Sequence, residues 1–492
     1  MLLLEKIQRI PAKKSRQFAL FLILLCGFIL RVAALNDPIS YDEAYTYQAF
    51  ASQPLFVLLT DYHLPNNHIF HSLLVHFSAL IFGNHLWILR LPALFAGMGL
   101  IWATYLFGNR LYAPEVGLAS AALTAISPEA ILHATRARGY SLVALLTLLI
   151  FYLGLQVLTR KKWFLWLGIA ILSALGFWTI PIMFFPFGIL FLWLILESFS
   201  EDIFPAYAKR WEFFSYWLIT GILSAIGTLI LYFPVLRVSG TRYLLGNVYI
   251  APAESGVYAN ILGERLLETA NFWMKGLPTF LVVLLVFGFF LGILFHRKLA
   301  LVQIPFQLAA FLWMTAVIIL RRPNAYSRFW SFLLAPMLVF SVAGLLGWGK
   351  QAQGHARLRW LNSLLSILLL GGMIIHTAQT IPTISTRWIE PNNAEAASEW
   401  LVERLEEGDM VLIGYPHNPS IWYYLGARGI PHGYWEARTD FTRAYLLTTN
   451  QSLEKLVHTY QLDATDFDLP NAIQVKNFGK IKIFLAYPPK LP

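Results

Sequence analysis

The sequence predicts a mainly α, polytopic transmembrane helical bundle with a small α/β domain at its C-terminal end. Three observations predict it. Hydrophobic residues make up 57% of the 492 residues and charged residues 13%, about half the charged share of a soluble domain. Mean hydropathy is +0.58. Apolar runs recur along the chain at close to the ~20 residues a helix needs to cross hydrocarbon, and the basic residues lie between them in alternate loops.

The first run, 18–35, follows MLLLEKIQRIPAKKSR. It exceeds the 7–15 residues of a signal-peptide core and is read as a retained signal-anchor. Further runs lie at 88–108, 116–134, 141–158, 163–179, 181–198, 213–234, 277–295, 300–320, 329–347 and 360–380, giving about eleven spans. The loops KIQRIPAKKSR, GNRLY, TRKKW, AYAKRW, FHRKL and KQAQGHARLR all fall on one side of this arrangement. Cytoplasmic loops are enriched in Lys and Arg, which predicts a cytoplasmic N-terminus and an outer C-terminus. Counting NNHIFHSLLVHFSALIFG, 66–83, as a span would invert every later loop. It is therefore read as a helix lying in the outer interface, with His68, His71 and His76 on a wet face.

Past about 386 the pattern changes. NNAEAASEWLVERLEEG predicts a helix with Asn393 as N-cap. DMVLIGY predicts a buried strand, NPSIWYYLG and SLEKLVHTYQL short helices, and AIQVKNFGKIKIFLAY two strands around a turn at NFGK. The predicted domains are a transmembrane catalytic bundle, 1–385, and an extracytoplasmic α/β domain, 386–492.

The net charge is +10, but the basic residues alternate with apolar runs instead of clustering on one element. A nucleic-acid partner is excluded on that ground. The single cysteine, Cys26, lies inside the first run and builds no disulfide framework.

The outer loops carry the unusual charges. Asp42 and Glu43 follow the first span within ISYDEAYTY. Arg136 and Arg138 lie in ATRARGYS, and Arg321, Arg322 and Arg328 in RRPNAYSR, against the inside preference for arginine. Ionisable groups near membrane depth are functional candidates by default. Singly, each has an ordinary reading: a solvated loop start favoured by a helix dipole, or arginines reaching to the interface. Together they divide labour as transfer from a lipid phosphate requires. A phosphate monoester, with a second pKa of about 6, departs without a protonating acid but needs cations on its oxygens, which arginine supplies bidentately. The accepting hydroxyl needs one general base within hydrogen-bond reach. Neighbouring acids on one stretch of chain do not suit hydrolysis by two carboxylates flanking a bond. His63 and His68 are read as hydrogen-bonding histidines; a divalent metal held by them with a carboxylate is the alternative left open, and no other cofactor is implied.

The ordered series resembles the GT-C membrane glycosyltransferases, in the branch of protein O-mannosyltransferases, aminoarabinose transferases and their bacterial relatives. It comprises a DE pair after the first span, an interfacial helix ending in FG, LRLPALFAG opening a span, SPEAILHATRARGYSL, and RRPNAYSRFWSFLLAPMLVF before the outer tail EAASEWLVERLEEGDMVLIGYP. The resemblance covers most of the chain and is strongest over 31–150. It implies Asp42 as general base, Glu43 as its support, and Arg136, Arg138 and Tyr140 near the donor phosphate. It implies Arg321, Arg322, Tyr326 and Arg328 as a phosphate clamp, with His63, Asn67 and His68 on the acceptor side or in a structural role. It further implies a polyprenyl-phosphate sugar donor, a lipid, glycan or protein acceptor, and inverting transfer on the outer face of the inner (plasma) membrane. Two departures stand out. HLPNNHIFHSLL replaces the relatives' His-Pro-Pro or Lys-Pro-Pro element. The nearest acid to the second outer loop, Glu129, lies upstream of the place where relatives carry one.

Two other classes compete: a lipid-linked-sugar transporter or flippase, and a polysaccharide polymerase or ligase. The chain shows no repeat between its halves, which transporters often have, and its acids lie in the first loop, whereas polymerases and ligases place key residues in one large late loop.

Overall fold

The computed structural model describes residues 12–200, 207, 209–246, 256–347, 356–380 and 393–489. The basic stretch 6–11, residues 247–255, the basic residues at 350–355 and the domain boundary at 385/386 lie outside them. The chain forms two compact units. One comprises the chain up to Leu35, Pro54–Val75 and Arg90–Ser385; the other comprises Asn36–Gln53, His76–Leu89 and the segment from Thr386 onward. The stretch between the first two long apolar helices is thus divided between the units.

In the first unit, all eleven apolar runs are helical. Among the described residues, five helices are long and apolar enough to cross a membrane alone: Lys13–Val32, Leu91–Leu111, Tyr140–Thr159, Arg210–Val238 and Ser327–Leu346. The count is seven if each of two bent pairs is one span. The remaining runs give helices of 10–17 residues, among them Trp163–Thr179, Pro181–Glu197 and Phe306–Arg321. The run 116–134 is not one rod. Helices Pro114–Ile126 and Pro128–Ala134 meet at 65°. Pro128 removes a helical donor and pushes Ser127 into extended backbone, φ −62° and ψ 124°.

That break frees carbonyls at the end of the first half, and a fully buried arginine from another helix takes them. Arg31 donates to Ala125 O at 2.8 Å, Thr124 O at 3.4 Å and its own Gly27 O at 3.0 Å. A cation at a helix C-terminus satisfies both orphan acceptors and the macrodipole. Elsewhere small residues let backbones touch, as in membrane bundles generally. A Cβ on Gly344 would meet the Gly288 carbonyl oxygen of helix Thr279–Leu294. The aromatic core around Phe107, Phe151, Trp193, Phe306 and Phe340 fills the middle of this unit.

The second unit is built on a four-stranded sheet. β1 (Met410–Ile413), β2 (Ala444–Thr448), β3 (Ile473–Phe478) and β4 (Ile481–Ala486) are ordered β1-β2-β4-β3. β1 and β2 run parallel, and the other pairings are antiparallel. The β3–β4 hairpin turns at Gly479 with φ +61°, a left-handed position that suits glycine. Helices Asn418–Ala427 and Leu453–Thr459 stand where the sequence places them, and Ser452 caps the latter by accepting from Lys455 N at 3.3 Å. Asn393 occupies the N-cap position of Ala394–Val402, but its side chain serves the hairpin, donating to Phe478 O. The central strand β2 was not among the predicted elements. Its five residues are all buried, so no polar alternation marks it.

Candidate active site

The acids belong to the second unit. Ser40 precedes the short helix Tyr41–Thr46 with extended φ and ψ, and Glu43 is its third helical residue. The Glu43 carboxylate accepts from Ser40 N at 3.0 Å and Ser40 Oγ at 2.8 Å. This is a capping box, which ties an acid to the positive end of the helix. Glu43 is buried with its carboxylate committed to Ser40, whereas Asp42 beside it is half-buried. Local chemistry separates the two acids: Glu43 shapes the turn and Asp42 is presented by it. Tyr41 stacks on Tyr45 at 6.0 Å and meets Tyr415 edge-on at 5.4 Å, fixing the outer side of the turn. Ser40→Ala is expected to cost about 1 kcal/mol of stability, read as a lower thermal midpoint of the full chain in detergent; an unchanged midpoint would remove this role from the capping box.

The arginines belong to the first unit. Asn67 holds the stretch before the helix Ile69–Phe82 by donating to Leu58 O and Asp61 O, both at 2.9 Å. That fixes His68 against the turn 135–139. Gly139 N donates to His68 Nδ1 at 3.0 Å, Arg138 Nη2 lies 3.2 Å from His68 Nε2, and Arg138 Nη1 donates to Asn66 O at 2.9 Å. Only glycine fits at 139, because a Cβ there would meet Thr179 and crowd the His68 ring. Tyr140 lies edge-on to His68 at 5.2 Å and tilted to His133 at 5.1 Å. Glu129 Oε1 is 3.6 Å from His133 Nε2. Arg138 is 6% exposed and Arg136 9%, so these guanidiniums are held inside the protein and do not reach out to solvent.

His68 therefore stays neutral. Burial, then the positive charges of Arg138 and Arg328, hold its imidazole well below the ordinary histidine range. The unfolded chain binds a proton at His68 below pH about 6.5, and the folded chain resists it. The stability contribution is present above that pH and falls as pH drops below it. His68→Gln is expected to flatten the acid limb of a thermal-midpoint-versus-pH curve. An acid limb of unchanged slope would place the titration elsewhere.

A third group gathers at the turn after the helix Phe306–Arg321 of the same unit. Arg265 lies over the Tyr326 ring at 4.1 Å and Arg328 over the same ring at 5.4 Å. Arg265 Nε donates to Asn324 Oδ1 at 2.9 Å and its Nη1 to Glu268 at 2.7 Å. Arg321 ends the helix Phe306–Arg321 and is exposed; Arg322 caps it in left-handed backbone, φ +45°. His63 stands apart from His68: it is partly exposed, and its Nδ1 pairs with Asp61 at 2.7 Å. Among the described residues, no three His, Cys, Asp or Glu side chains converge to hold a metal ion.

Two residues of this neighbourhood, His133 and Arg265, escaped the sequence reading, and a third, Glu129, was named there without a role. Glu129 looked too far upstream, yet the helix Pro128–Ala134 brings its partner His133 onto Tyr140, and one small cavity is lined by Glu129, His133, Tyr140, Ser141 and Ser331. A Glu–His pair four residues apart was the available signal. Arg265 lies in the helix Tyr258–Met274, a stretch that the sequence reading did not single out.

Residues 66–208 match the family model described as dolichyl-phosphate-mannose-protein mannosyltransferase. ArnT from Cupriavidus metallidurans bound to undecaprenyl phosphate superimposes with a TM-score of 0.61 at 11% identity, over 96% of this chain and 98% of that one. The chain has the GT-C fold. Two further proteins share the GT-C architecture. The Archaeoglobus fulgidus oligosaccharyltransferase tethered to an acceptor peptide gives a TM-score of 0.51 at 14% identity, covering 92% of this chain and 68% of its own. The mycobacterial arabinofuranosyltransferase AftD gives 0.51 at 11% identity, covering 96% and 40%. No curated protein sequence matches the chain. The GT-C fold and the apolar helices make this a multi-pass membrane protein.

Proposed function

We propose that this GT-C protein transfers a sugar from a polyprenyl-phosphate donor to an acceptor hydroxyl on the outer face of the inner (plasma) membrane. The observation that carries the reading is the buried Arg138, whose Nη1 donates to Asn66 O while its Nη2 lies 3.2 Å from His68 Nε2. An always-charged, pre-oriented fork of donors suits a phosphate, and ArnT, which shares the fold, was solved with undecaprenyl phosphate. Residues 1–385 are read as the catalytic bundle and 386–492 as an extracytoplasmic domain.

In this reaction Asp42 takes the proton of the acceptor hydroxyl as general base. The acceptor oxygen bonds to the anomeric carbon as the bond from that carbon to the phosphate oxygen breaks, so the configuration inverts. The leaving group is a polyprenyl monophosphate whose new charge falls on oxygens facing Arg136 and Arg138, with Arg321, Arg322 and Arg328 as further cations and Tyr140 and Tyr326 orienting them. Glu43 keeps the Asp42 turn in shape. His63, Asn67 and His68 hold the loop that carries Arg138's partner carbonyl.

The test uses purified full-length protein in detergent with radiolabelled polyprenyl-phosphate sugars extracted from membranes, and with lipid, glycan and protein acceptors. Transfer of label from carrier to acceptor supports the proposal. Absence of transfer, together with movement of labelled lipid across vesicles containing the protein, would replace it with a transporter.

A further inference from the structure

The second unit contains a cleft of about 530 Å³, within the usual range of small-molecule sites. Its lining is unusual in what it omits. No Arg, Lys, Asp or Glu contributes to it, and no aliphatic side chain larger than alanine does. The apolar wall is almost wholly aromatic, supplied by Tyr45, Tyr47, Trp422, Tyr423, Trp435 and Tyr460. The polar groups are amides and hydroxyls, including Gln48, Gln53 and Asn84, and one imidazole, His432, whose Nδ1 lies 2.8 Å from Glu436 Oε1.

This wall is preformed. Tyr47 and Tyr423 meet edge-on at 5.8 Å, and Tyr423 Oη donates to Asn84 O at 2.9 Å. Tyr47 and Gln48 lie on a single turn of π-helix, Tyr47–Ala51, directly after the helix that carries Asp42. Such turns insert an extra residue at an energetic cost and recur at functional sites. The backbone oxygen of Gln48 accepts from Ser52 Oγ and Gln53 Nε2, while its side-chain amide makes no hydrogen bond to the described residues.

The chemistry selects one kind of occupant. A phosphate or uronate would find no Arg or Lys, and the one imidazole, His432, is already engaged by the Glu436 carboxylate. A lipid tail would find no aliphatic surface. A neutral pyranose presents polarised C–H faces, which suit the negative faces of Tyr and Trp rings, and a rim of hydroxyls, which suits amides and phenols. We propose that this cleft binds the neutral saccharide of the acceptor, which makes the acceptor a glycan. The assignment deepens the glycosyltransferase reading and rests on it only for the word acceptor.

The experiment is saturation-transfer NMR on the full-length protein in lipid nanodiscs. The probes are neutral gluco-, galacto- and manno-disaccharides, a glucuronate-containing disaccharide and an extended neutral peptide, with polyprenyl phosphate binding measured separately. At least one neutral disaccharide is expected to bind, and Trp422→Ala and Gln48→Ala each to weaken it by about tenfold or more while polyprenyl phosphate binding holds. Gln48→Ala alters a half-buried amide at the cleft and keeps the inference testable should Trp422→Ala fail to fold. No binding of any neutral disaccharide, equal binding by folded variants, or binding of the peptide in their place would overturn it. Saccharide binding without polyprenyl phosphate binding would retain the cleft and reject the donor assignment.

Discussion

Asp42→Asn is expected to lower sugar transfer by about 10²–10⁴-fold, the range a positioned general base supplies, with donor binding and folding retained. The asparagine keeps the shape of the side chain and removes the proton acceptor. Glu43 cannot stand in, because its carboxylate is buried and accepts two hydrogen bonds from Ser40 at 3.0 and 2.8 Å. Rotating it outward would break the capping box and leave the Ser40 donors to find other partners. The measurement is single-turnover transfer at saturating donor, so that a binding defect cannot imitate a chemical one. Wild-type rates in Asp42→Asn would reject the base assignment.

The second large effect is expected at Arg138. Arg138→Ala removes two charge-assisted donors from a 6%-exposed site and leaves the Asn66 carbonyl without the 2.9 Å bond it accepts. Charged hydrogen bonds contribute about 1.5–3 kcal/mol each, so donor affinity is expected to fall by at least tenfold. Arg138→Lys is not expected to restore it. A single ammonium cannot reach Asn66 O, face His68 and meet a phosphate with the planar fork that arginine offers. Titration with polyprenyl phosphate, the sugar-free product, reads this without turnover. Full affinity in Arg138→Ala would move the phosphate to another group, with Arg265 and Arg328 around Tyr326 the next to test.

Hydropathy made the bundle legible because burial in lipid writes itself as long apolar runs. It did not show that 116–134 bends, although the Ser127-Pro128 pair stands in the sequence. Nor did it show the reason for Arg31, whose partner carbonyls lie 93 and 94 residues away and are freed only by that bend. In the second unit the hairpin and short helices carried their own turn and cap signals. β2 did not, since a strand buried on both faces loses the alternation by which strands are recognised. The site was half legible. Asp42, Arg138, Tyr140 and Arg328 stood out as charges and rings in loops that the charge pattern reads as outer. Their division of roles did not: that Glu43 is a cap, that His68 is a neutral brace, and that Glu129 reaches Tyr140 through His133 all depend on local folding that spacing along the chain does not express.

The most direct test of the central claim is a stoichiometric one. Full-length protein in nanodiscs would receive a doubly labelled polyprenyl-phosphate sugar, with separate isotopes on sugar and lipid, together with a glycan acceptor. One equivalent of free polyprenyl monophosphate released for each sugar gained by the acceptor, with inverted anomeric configuration, is the predicted result. Sugar and lipid labels that stay joined while crossing the bilayer would contradict it.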